Sequence, residues 1–537
     1  MEFNIATILE SIVDVVGERE AVVSGSTRLT YKELDDRANR YAHLLQKQGI
    51  GAGDHVGLYL YNGNEFLEAM FGTLKARAVP ININYRYVEE ELEYLFKDAD
   101  LKSLVFQREF APRVAAVAGN VPTLNHYVYV DDDSGADVSA FDGVAALEYG
   151  AALDAESSER DFAERSGDDI FIVYTGGTTG MPKGVMWRHE DLFYAGLQGG
   201  NPGGEHHEKA EDVGPRIASG DSLFLNFLPA APFIHGAAQW TAIIGWFGAS
   251  KIVVIPSPSF EPKRVCESIQ AEGVNTITLV GDAMARPFAD EVRSGNYDMS
   301  SLMVIVSAGA ILSDSVKQDL QELMPEAMVL NNFGATETGH QGTSFEDSAS
   351  GRPTFAMHDG NVVLDEEHNP IEPGSDQVGF LARRGRLPVG YYNDPEKTAR
   401  TFVEIRGERW VITGDMASVE EDGQITVHGR GSGCINTGGE KVFPEEVEEG
   451  LKAHPAVMDA VVVGVPDEKW GQRVAAVVQA RPGQSLAAEE LVTFCKTKVA
   501  GYKVPRQYHE VEAILRHPSG KPDYRWAKSI ATGESHA

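Results

Sequence analysis

The chain has 537 residues, 42% of them hydrophobic, and carries a formal net charge of -33. This length exceeds what one hydrophobic core supports, so we expect a globular protein of two or more domains. The strongly acidic balance argues against nucleic acid as a partner, because phosphate backbones bind to basic surfaces.

The first part of the chain alternates helical and strand patterns. Residues 31–48 predict a helix with one apolar face, and residues 65–75 predict another. Residues 55–60 and 101–106 predict strands. The same alternation returns at 251–330, so we expect parallel sheets covered by helices.

Two polar segments predict loops. The acidic run at 131–137 (DDDSGAD) predicts a surface turn, with a metal site as the alternative. The segment at 199–220 is rich in glycine, proline and charge. It predicts either a binding element or lid, or a disordered insertion.

A glycine-rich joint at 429–433 (GRGSG) predicts the main domain boundary. We expect an N-terminal domain at 1–429, a hinge at 430–433 and a small α+β domain at 434–537. Within the last, residues 460–464 and 474–478 predict paired strands.

The cysteines and the N-terminus bear on the compartment. Cys266, Cys434 and Cys495 are scattered and lack the spacing of a zinc site. Unpaired thiols suit a reducing cytoplasm, and the first residues show no signal peptide. The most apolar stretch, at 236–250, is too short for a membrane span, which leaves weak membrane association open.

The most informative motif is the run at 174–185 (YTGGTTGMPKGV), which follows the apolar residues 170–173. Such a loop offers backbone N–H groups, hydroxyls and one lysine to a chain of phosphates. It is not a Walker-type loop, because no Ser or Thr follows Lys183. Taken alone, it does not distinguish a nucleotide site from an ordinary glycine-rich turn.

Four later motifs add chemistry suited to a nucleotide. Residues 331–339 (NNFGATETG) offer an aromatic ring, a hydroxyl and a carboxylate for Mg²⁺. Residues 411–416 (VITGDM) place Asp415 at the end of a predicted strand, where a carboxylate can accept both ribose hydroxyls. Residues 438–448 (GGEKVFPEEVE) follow Gly429 and Arg430, and 518–523 (PSGKPD) place Lys521 on a turn.

In this order, the motifs resemble the adenylate-forming superfamily of acyl-CoA synthetases, luciferases and peptide-synthetase adenylation domains. The resemblance covers residues 10–530. Within the superfamily the chain is most similar to bacterial fatty-acyl-CoA synthetases, above all those acting on sterol side-chain carboxylates. That narrower likeness is carried by the runs at 186–190, 281–287, 429–432 and 520–528.

The resemblance implies a fold and a reaction. The fold is α/β, with a large N-terminal domain of sheets covered by helices and a small α+β C-terminal lid on a hinge. ATP and a carboxylate yield acyl-AMP and pyrophosphate, and coenzyme A then forms the acyl-CoA thioester. Magnesium accompanies ATP, the partners are small molecules, and the oligomeric state stays open, a homo-oligomer included.

The resemblance also implies residue roles. It implies that the phosphate loop binds the β- and γ-phosphates; this loop comprises Thr175, Gly176, Gly177, Thr178, Thr179, Gly180 and Lys183. It implies that the adenosine and the α-phosphate are bound by Gly309, Phe333, Gly334, Thr336, Asp415 and Arg430. Glu337 holds Mg²⁺, Lys521 bridges carboxylate and α-phosphate, His235 lies by the carboxylate, and Gly439 admits pantetheine.

Each role has an ordinary structural alternative. Phe333 and His235 also suit a protein core, Asp415 a helix cap, and Lys521 an exposed surface. The acyl pocket is expected from 233–240 and 280–284, where small residues leave room for a long or bulky acid. The basic residues that follow position 495 are candidates for the CoA phosphates, or else they form a solvated helix face: Lys496, Lys498, Lys503 and Arg506.

Other activities remain open at this point. The chain has Ser432 and Gly433 where many superfamily members carry a charged hinge pair, so the pivot is undecided. An enzyme that adenylates aryl acids or loads a carrier protein, a non-catalytic nucleotide-binding relative and a luciferase-like oxygenase are the alternatives.

Overall fold

A computed structural model describes residues 1–139, 141–175, 181–201, 204–310, 312–344, 354–375, 377–437, 440–467, 470–517 and 520–533. Its first region is a layer of helices around a parallel sheet. The elements in chain order are α1 Ile5–Val16, β1 Glu20–Ser24, β2 Thr27–Thr30, α2 Tyr31–Lys47, β3 His55–Tyr59, α3 Asn64–Lys75, β4 Val79–Asn82, α4 Glu89–Asp98, β5 Ser103–Gln107, α5 Ala111–Ala118, β6 His126–Val130, β7 Leu147–Glu148 and α6 Tyr149–Asp154.

Strands β4, β3, β5, β6 and β7 lie side by side in that order, and every neighbouring pair is parallel. Helix α2 begins where the Thr30 side chain accepts the Glu33 N–H and the Glu33 carboxylate accepts the Thr30 N–H. Its apolar face, predicted from the sequence, is buried. The sequence therefore predicted both the helices and the parallel sheet of this region correctly.

The second region forms the centre of a long sheet and a separate hairpin. Its elements are β8 Ile170–Thr175, β9 Lys183–Arg188, α7 His189–Ala195, α8 Val213–Ala218, β10 Asn226–Pro229, α9 Gly236–Phe247, β11 Lys251–Val254, α10 Pro262–Glu272, β12 Thr276–Leu279, α11 Gly281–Ser294, β13 Val304–Ser307, α12 Asp314–Leu323, β14 Met328–Ala335 and β15 Gly339–Ser344. The predicted loop at 199–220 is not structureless in its described part, because it contains α8.

The long sheet runs in the order β17-β18-β21-β22-β16-β15-β14-β13-β12-β10-β11-β1-β2, and β20 pairs with β21. The elements that complete it are β16 Thr354–Met357, β17 Asn361–Leu364, β18 Gly379–Arg384, β19 Gly390–Tyr391, α13 Pro395–Thr401, β20 Phe402–Ile405, β21 Glu408–Val419 and β22 Ile425–Arg430. Strands β10 to β14 are parallel, so their carboxyl ends meet at one edge.

The C-terminal region has its own sheet, in the order β24-β23-β26-β25 with β27 beside β26. Its elements are β23 Ile435–Thr437, β24 Glu440–Val442, α14 Pro444–Lys452, β25 Val457–Asp467, β26 Gly471–Ala480, α15 Ala488–Cys495, β27 Gln507–Val511 and α16 Tyr524–Thr532. Strand β25 is buried on both faces, because Val462 packs into the core that contains Val447 and Leu491, whereas Val461 packs with Ala527. The predicted pairing of 460–464 with 474–478 is confirmed.

These regions together confirm the predicted α/β fold of a large sheet-and-helix part followed by a smaller C-terminal part. In the part of the chain that the structure describes, no helix has the length and apolar character needed to cross a bilayer.

Candidate active site

The phosphate-loop motif lies on the hairpin of β8 and β9. Thr175 and Lys183 are register partners at the loop end of this hairpin. Gly176, Gly177, Thr178, Thr179 and Gly180 lie outside the described residues. The Lys183 Nζ lies 3.6 Å from Asp98 Oδ1 and 3.6 Å from Asp394 Oδ2. Two carboxylates therefore hold the lysine at the mouth of the loop.

The electrostatics of Lys183 favour its charged form. Burial lowers its pKa, but the Tyr94 hydroxyl and the carboxylates of Asp98 and Asp394 outweigh burial, so the pKa lies above its ordinary value. The Tyr94 ring also lies 5.3 Å below the ammonium group. A permanent cation at this position suits a phosphate ligand, which the net charge of -33 otherwise repels.

A buried asparagine ties this hairpin to the segment that carries His235. Asn82, at the end of β4, accepts the Tyr174 N–H at 2.8 Å and donates to the carbonyl oxygens of Tyr174 and Ile234 at 2.9 and 2.6 Å. Sequence reasoning missed this residue. Its signal was a polar side chain at the end of an apolar strand, a position that is otherwise unfavourable for burial.

His235 stands at the N-terminus of α9, with extended backbone before the helix begins. The preceding residues are fixed by side chains, since Asn62 accepts the Phe233 N–H at 2.7 Å and Gln239 donates to the Phe233 oxygen at 2.6 Å. The predicted pocket segment 233–240 is therefore a rigid turn and the first turn of a helix. The indole Nε1 of Trp240 is buried and has no hydrogen-bond partner among the described residues.

The motif at 331–339 forms β14 and the tight turn into β15. Gly334 lies so close to the opposite strand that a Cβ would be 2.2 Å from the Gly339 oxygen, which explains the requirement for glycine. Phe333 is half-buried, with its ring centroid 5.4 Å from that of Phe355, whereas Gly334 is exposed. Phe333 is thus packed on one side by the core, while Gly334 next to it is accessible to solvent.

Thr336 and Glu337 lie on the turn itself, and neighbouring side chains fix it from both sides. Trp187 donates its indole N–H to the Thr336 oxygen at 2.9 Å, and Tyr391 donates its hydroxyl to Glu337 Oε1 at 2.8 Å. Arg383 donates to the oxygens of Thr338 and His340. None of these three supports was predicted, because each comes from a distant segment of the chain.

Asp415 lies inside the long strand β21, opposite Arg430 of β22. The predicted strand end is therefore wrong, and so is the helix-cap alternative, because the strand continues to Val419. Thr413 donates its hydroxyl to Asp415 Oδ2 at 2.5 Å and orients the carboxylate. Neither the Arg430 side chain nor Gly439 belongs to the described part, so their predicted roles stay predictions.

The turn that carries Lys521 meets the edge of the large sheet at Val280. Gly520 has a φ of +74°, and a Cβ on it would be 2.7 Å from Val280 Cγ1. Gly309, with a φ of +82° just after β13, points its open side at the same methyl group, at 3.9 Å. Gly520, the residue before Lys521, and Gly309 therefore both face the same side chain, that of Val280.

Two further predictions concern the acidic run at 131–137 and the cations after Cys495. Asp131 in the acidic run pairs with Arg108, and among the described residues no cluster of His, Cys, Asp and Glu has the form of a metal site. Helix α15 ends at Cys495, so the cations beyond it do not form a helix face. Lys503 is engaged by Glu446 at 2.7 Å, and the CoA role of these cations stays a prediction.

Comparisons with known proteins agree with this arrangement. A family model described as AMP-binding enzyme matches residues 9–392, and one described as AMP-binding enzyme C-terminal domain matches 446–521. A 3-oxocholest-4-en-26-oate–CoA ligase of Rhodococcus rhodochrous is 46% identical over 98% of this chain and 96% of its own length.

A medium/long-chain-fatty-acid–CoA/3-oxocholest-4-en-26-oate–CoA ligase of Mycobacterium tuberculosis is also 46% identical, over 98% of this chain and 95% of its own. Among solved structures, the anthranilate CoA ligase AuaEII in complex with anthranoyl-AMP superposes with a TM-score of 0.83 at 24% identity, covering 99% of this chain and 98% of that one. The resemblance predicted from the motifs is confirmed, and the chain belongs to the AMP-binding enzyme family.

Proposed function

We propose that the protein is an ATP-dependent carboxylic acid–CoA ligase that activates a fatty or steroid side-chain carboxylate. The observation that carries the proposal is the contact of Gly520, next to Lys521, with Val280, whose methyl group also faces Gly309 at the edge where the parallel strands end. Attack of a carboxylate on a phosphate brings two anions together, and this requires a cation near both. Lys521, carried by the C-terminal region, would supply it. The relatives named as ligases of fatty and steroid acids support the substrate class.

In the first step, a carboxylate oxygen attacks the α-phosphorus of ATP, and the bond to the bridging oxygen of pyrophosphate breaks. Lys521 would neutralise both anions. Lys183 would hold the departing pyrophosphate together with Thr175 and the glycines 176, 177 and 180, with Thr178 and Thr179 between them. Thr336 would contact the α-phosphate. In this assignment catalysis comes from positioning and charge, and no side chain forms a covalent bond.

The nucleoside would be held along the edge of the large sheet. Phe333 and Gly334 would pack against adenine beside Gly309, since Gly334 is exposed and Phe333 presents a half-buried ring. Asp415, oriented by Thr413, would accept the ribose hydroxyls, with Arg430 opposite it in the neighbouring strand.

Glu337 fits a magnesium ion that arrives with ATP. Magnesium prefers oxygen ligands and is often held by one or two carboxylates together with substrate phosphates and water. Glu337 has one oxygen held by the Tyr391 hydroxyl, which leaves the other for a ligand. Such an ion supplies positive charge to the phosphate oxygens, and in this chain Glu337 would be the residue that binds it.

In the second step, the thiolate of coenzyme A attacks the acyl carbon, and AMP leaves with the oxygen that came from the carboxylate. We propose that residues 430–433 act as a hinge between 1–429 and 434–537, so that Gly439 replaces Lys521 at the site. The glycines of this segment would permit the backbone rotation that such a lid requires.

The acid would enter beside His235 and extend past Trp240. The residues of the first turn of α9, Gly236, Ala237 and Ala238, are small, and the acyl group would extend past them. The buried indole Nε1 of Trp240, without a partner in the described part of the chain, would find one in an oxygen of the substrate. The free, buried thiols of Cys266 and Cys495 suit the cytoplasmic setting that we propose.

The test is formation of AMP and thioester from ATP, Mg²⁺ and CoA across a panel of acids. The panel contains acetate, medium- and long-chain fatty acids, benzoate and a steroid with a carboxylated side chain. We expect both products with the long and steroid acids. A clear preference for acetate would contradict the assigned pocket, and the absence of AMP with every acid would contradict the enzyme class.

A further inference from the structure

A buried ion pair joins the C-terminal region to the helix that follows Val280. Lys452, the last residue of α14, has its Nζ 3.6 Å from Asp282 Oδ2 on α11 and 3.7 Å from Asp459 Oδ1 on β25. The Lys452 and Asp282 side chains are each 6% exposed. The lysine therefore bridges a carboxylate of its own unit and one of the large sheet's helices, away from water.

The same carboxylate of Asp459 holds the turn of Lys521. Arg516 donates to both oxygens of Asp459, at 2.8 and 2.7 Å. Its Nη1 donates to the carbonyl oxygen of Gly520, one residue before Lys521, at 2.7 Å. A continuous chain of charges thus runs from Asp282 through Lys452, Asp459 and Arg516 to the Gly520–Lys521 peptide.

Asp282 is a fixed anchor for this chain. Its Oδ1 accepts the Ser313 N–H at 2.8 Å, which holds the carboxylate towards α12. Arg286, one turn further along α11, is 3% exposed, and its Nε and Nη2 have no hydrogen-bond partner in the described part of the chain. Burial lowers the pKa of Arg286, while Asp282 and Asp459 act in the opposite direction. The buried charge of Arg286 is therefore compensated in part by these two carboxylates.

We propose that Lys452 and Arg516 are positioning residues that hold Lys521 at the site during acyl-AMP formation, and that the pair between Lys452 and Asp282 breaks for thioester formation. The inference rests on the proposed function, in which the C-terminal unit turns away between the two steps. Lys452 can contact Asp282 only while that unit lies against α11, whereas Arg516 and Asp459 travel together because both belong to it. The pair between Lys452 and Asp282 is thus specific to one of the two orientations.

The pair between Lys452 and Asp282 is buried, and burial sets its energy. Removing one partner of a buried ion pair leaves the other uncompensated, which costs much more than removing an exposed pair. Without Lys452, Asp282 and Asp459 would face each other across the interface with reduced compensation. Removal of Lys452 therefore destabilises the closed orientation, in which the C-terminal region lies against α11. It does not destabilise the open orientation, in which the pair would already be broken and both groups would be hydrated.

The experiment compares Lys452→Met, Lys452→Arg and wild type in the two half-reactions. For Lys452→Met we expect the kcat of pyrophosphate release without CoA to fall by about 10- to 100-fold, because misplacement of a catalytic group by an ångström has effects of this size. KM for ATP and thioester formation from supplied acyl-AMP should stay close to wild type. Lys452→Arg keeps the charge and should restore most of the rate.

Lys251→Met is the matched control, because Lys251 on β11 makes a largely buried pair with Glu272 of α10 at 2.8 Å, away from the C-terminal region. It should lower thermal stability without separating the half-reactions. Equal losses of Lys452→Met in both half-reactions, or an unchanged rate of pyrophosphate release, would overturn the inference.

Hydrogen exchange of the segments at 280–294 and 515–523 gives a second readout that needs no turnover. Lys452→Met should raise exchange in both segments and Lys251→Met in neither. If wild type forms no acyl-AMP but the two variants show this exchange pattern, the proposed function is refuted, whereas the role of Lys452 in holding the C-terminal region against α11 stands. Active wild type with no change in exchange would refute the tie alone.

Discussion

Gly520→Ala tests whether the Lys521 turn closes against Val280 when acyl-AMP forms. An alanine Cβ would lie 2.7 Å from Val280 Cγ1, below any normal contact distance, and 3.5 Å from the Val280 oxygen, which is an ordinary contact. The steric conflict is therefore with a single methyl group of the other unit. It exists only while the C-terminal unit is closed.

Two energetic costs contribute to the effect of Gly520→Ala, and only one of them depends on the orientation of the C-terminal region. The left-handed backbone, with a φ of +74°, costs alanine about 1–2 kcal/mol in every orientation of the unit. The overlap with Val280 costs about 1–3 kcal/mol more, the range for overpacking, in the closed orientation alone. Acyl-AMP formation should accordingly fall by about 5- to 150-fold, while thioester formation from supplied acyl-AMP is nearly unchanged.

The assay measures both half-reactions in a double-mutant cycle with Val280→Ala. The smaller side chain removes Cγ1, so Gly520→Ala should have much less effect in that background. Gly483→Ala is the matched control, because Gly483 also has a left-handed φ, of +77°, and a Cβ there meets nothing within 4 Å. Equal losses in both half-reactions, or no relief by Val280→Ala, would refute the closed arrangement.

Three further changes test individual residues of the site. Lys521→Ala should lower acyl-AMP formation by about 10²- to 10³-fold, the usual effect of removing one charge-stabilising donor, and spare thioester formation from acyl-AMP. Tyr391→Phe removes the hydroxyl that holds Glu337, so the Mg²⁺ concentration for half-maximal pyrophosphate release should rise about tenfold; an unchanged titration would separate Glu337 from the metal. Glu449→Gln should reduce the pH dependence of the rate of acyl-AMP formation. Burial raises the pKa of Glu449 to about 8; the carboxylates of Asp314 and Asp282 across the interface act in the same direction, whereas the Asp314 N–H and Lys452 oppose them. Closure therefore takes up a proton and should weaken as pH rises through about 8. A wild-type rate of acyl-AMP formation that is constant from pH 7 to 9 would contradict this.

The sequence predicted the site's motifs better than their supports. The strand at 170–175 and the position of Lys183 were predictable, because an apolar run, glycines and a single cation follow one another in the sequence. Asn82, Trp187, Tyr391 and Arg383 were not, since each acts on a motif from which it is distant in the chain. Contacts of this kind depend on how sheets pack, which local pattern does not encode.

Two errors have physical causes. Asp415 interrupts an apolar run, which favoured a strand end, but β21 continues because its next residues pair with β22 and β18. The loop at 199–220 has the composition of a turn, yet a short helix forms there because Val213 and Ile217 are buried in the main core. In both cases tertiary packing overrode a local preference.

The most direct test of the central claim follows oxygen from the acid to AMP. A long-chain or steroid carboxylate labelled with ¹⁸O on both oxygens is incubated with ATP, Mg²⁺, CoA and the protein, and the products are analysed by mass spectrometry. Attack of the carboxylate on the α-phosphorus predicts one labelled oxygen in AMP and none in pyrophosphate. Label in pyrophosphate or orthophosphate, or thioester without labelled AMP, would contradict adenylation as the chemistry of this site.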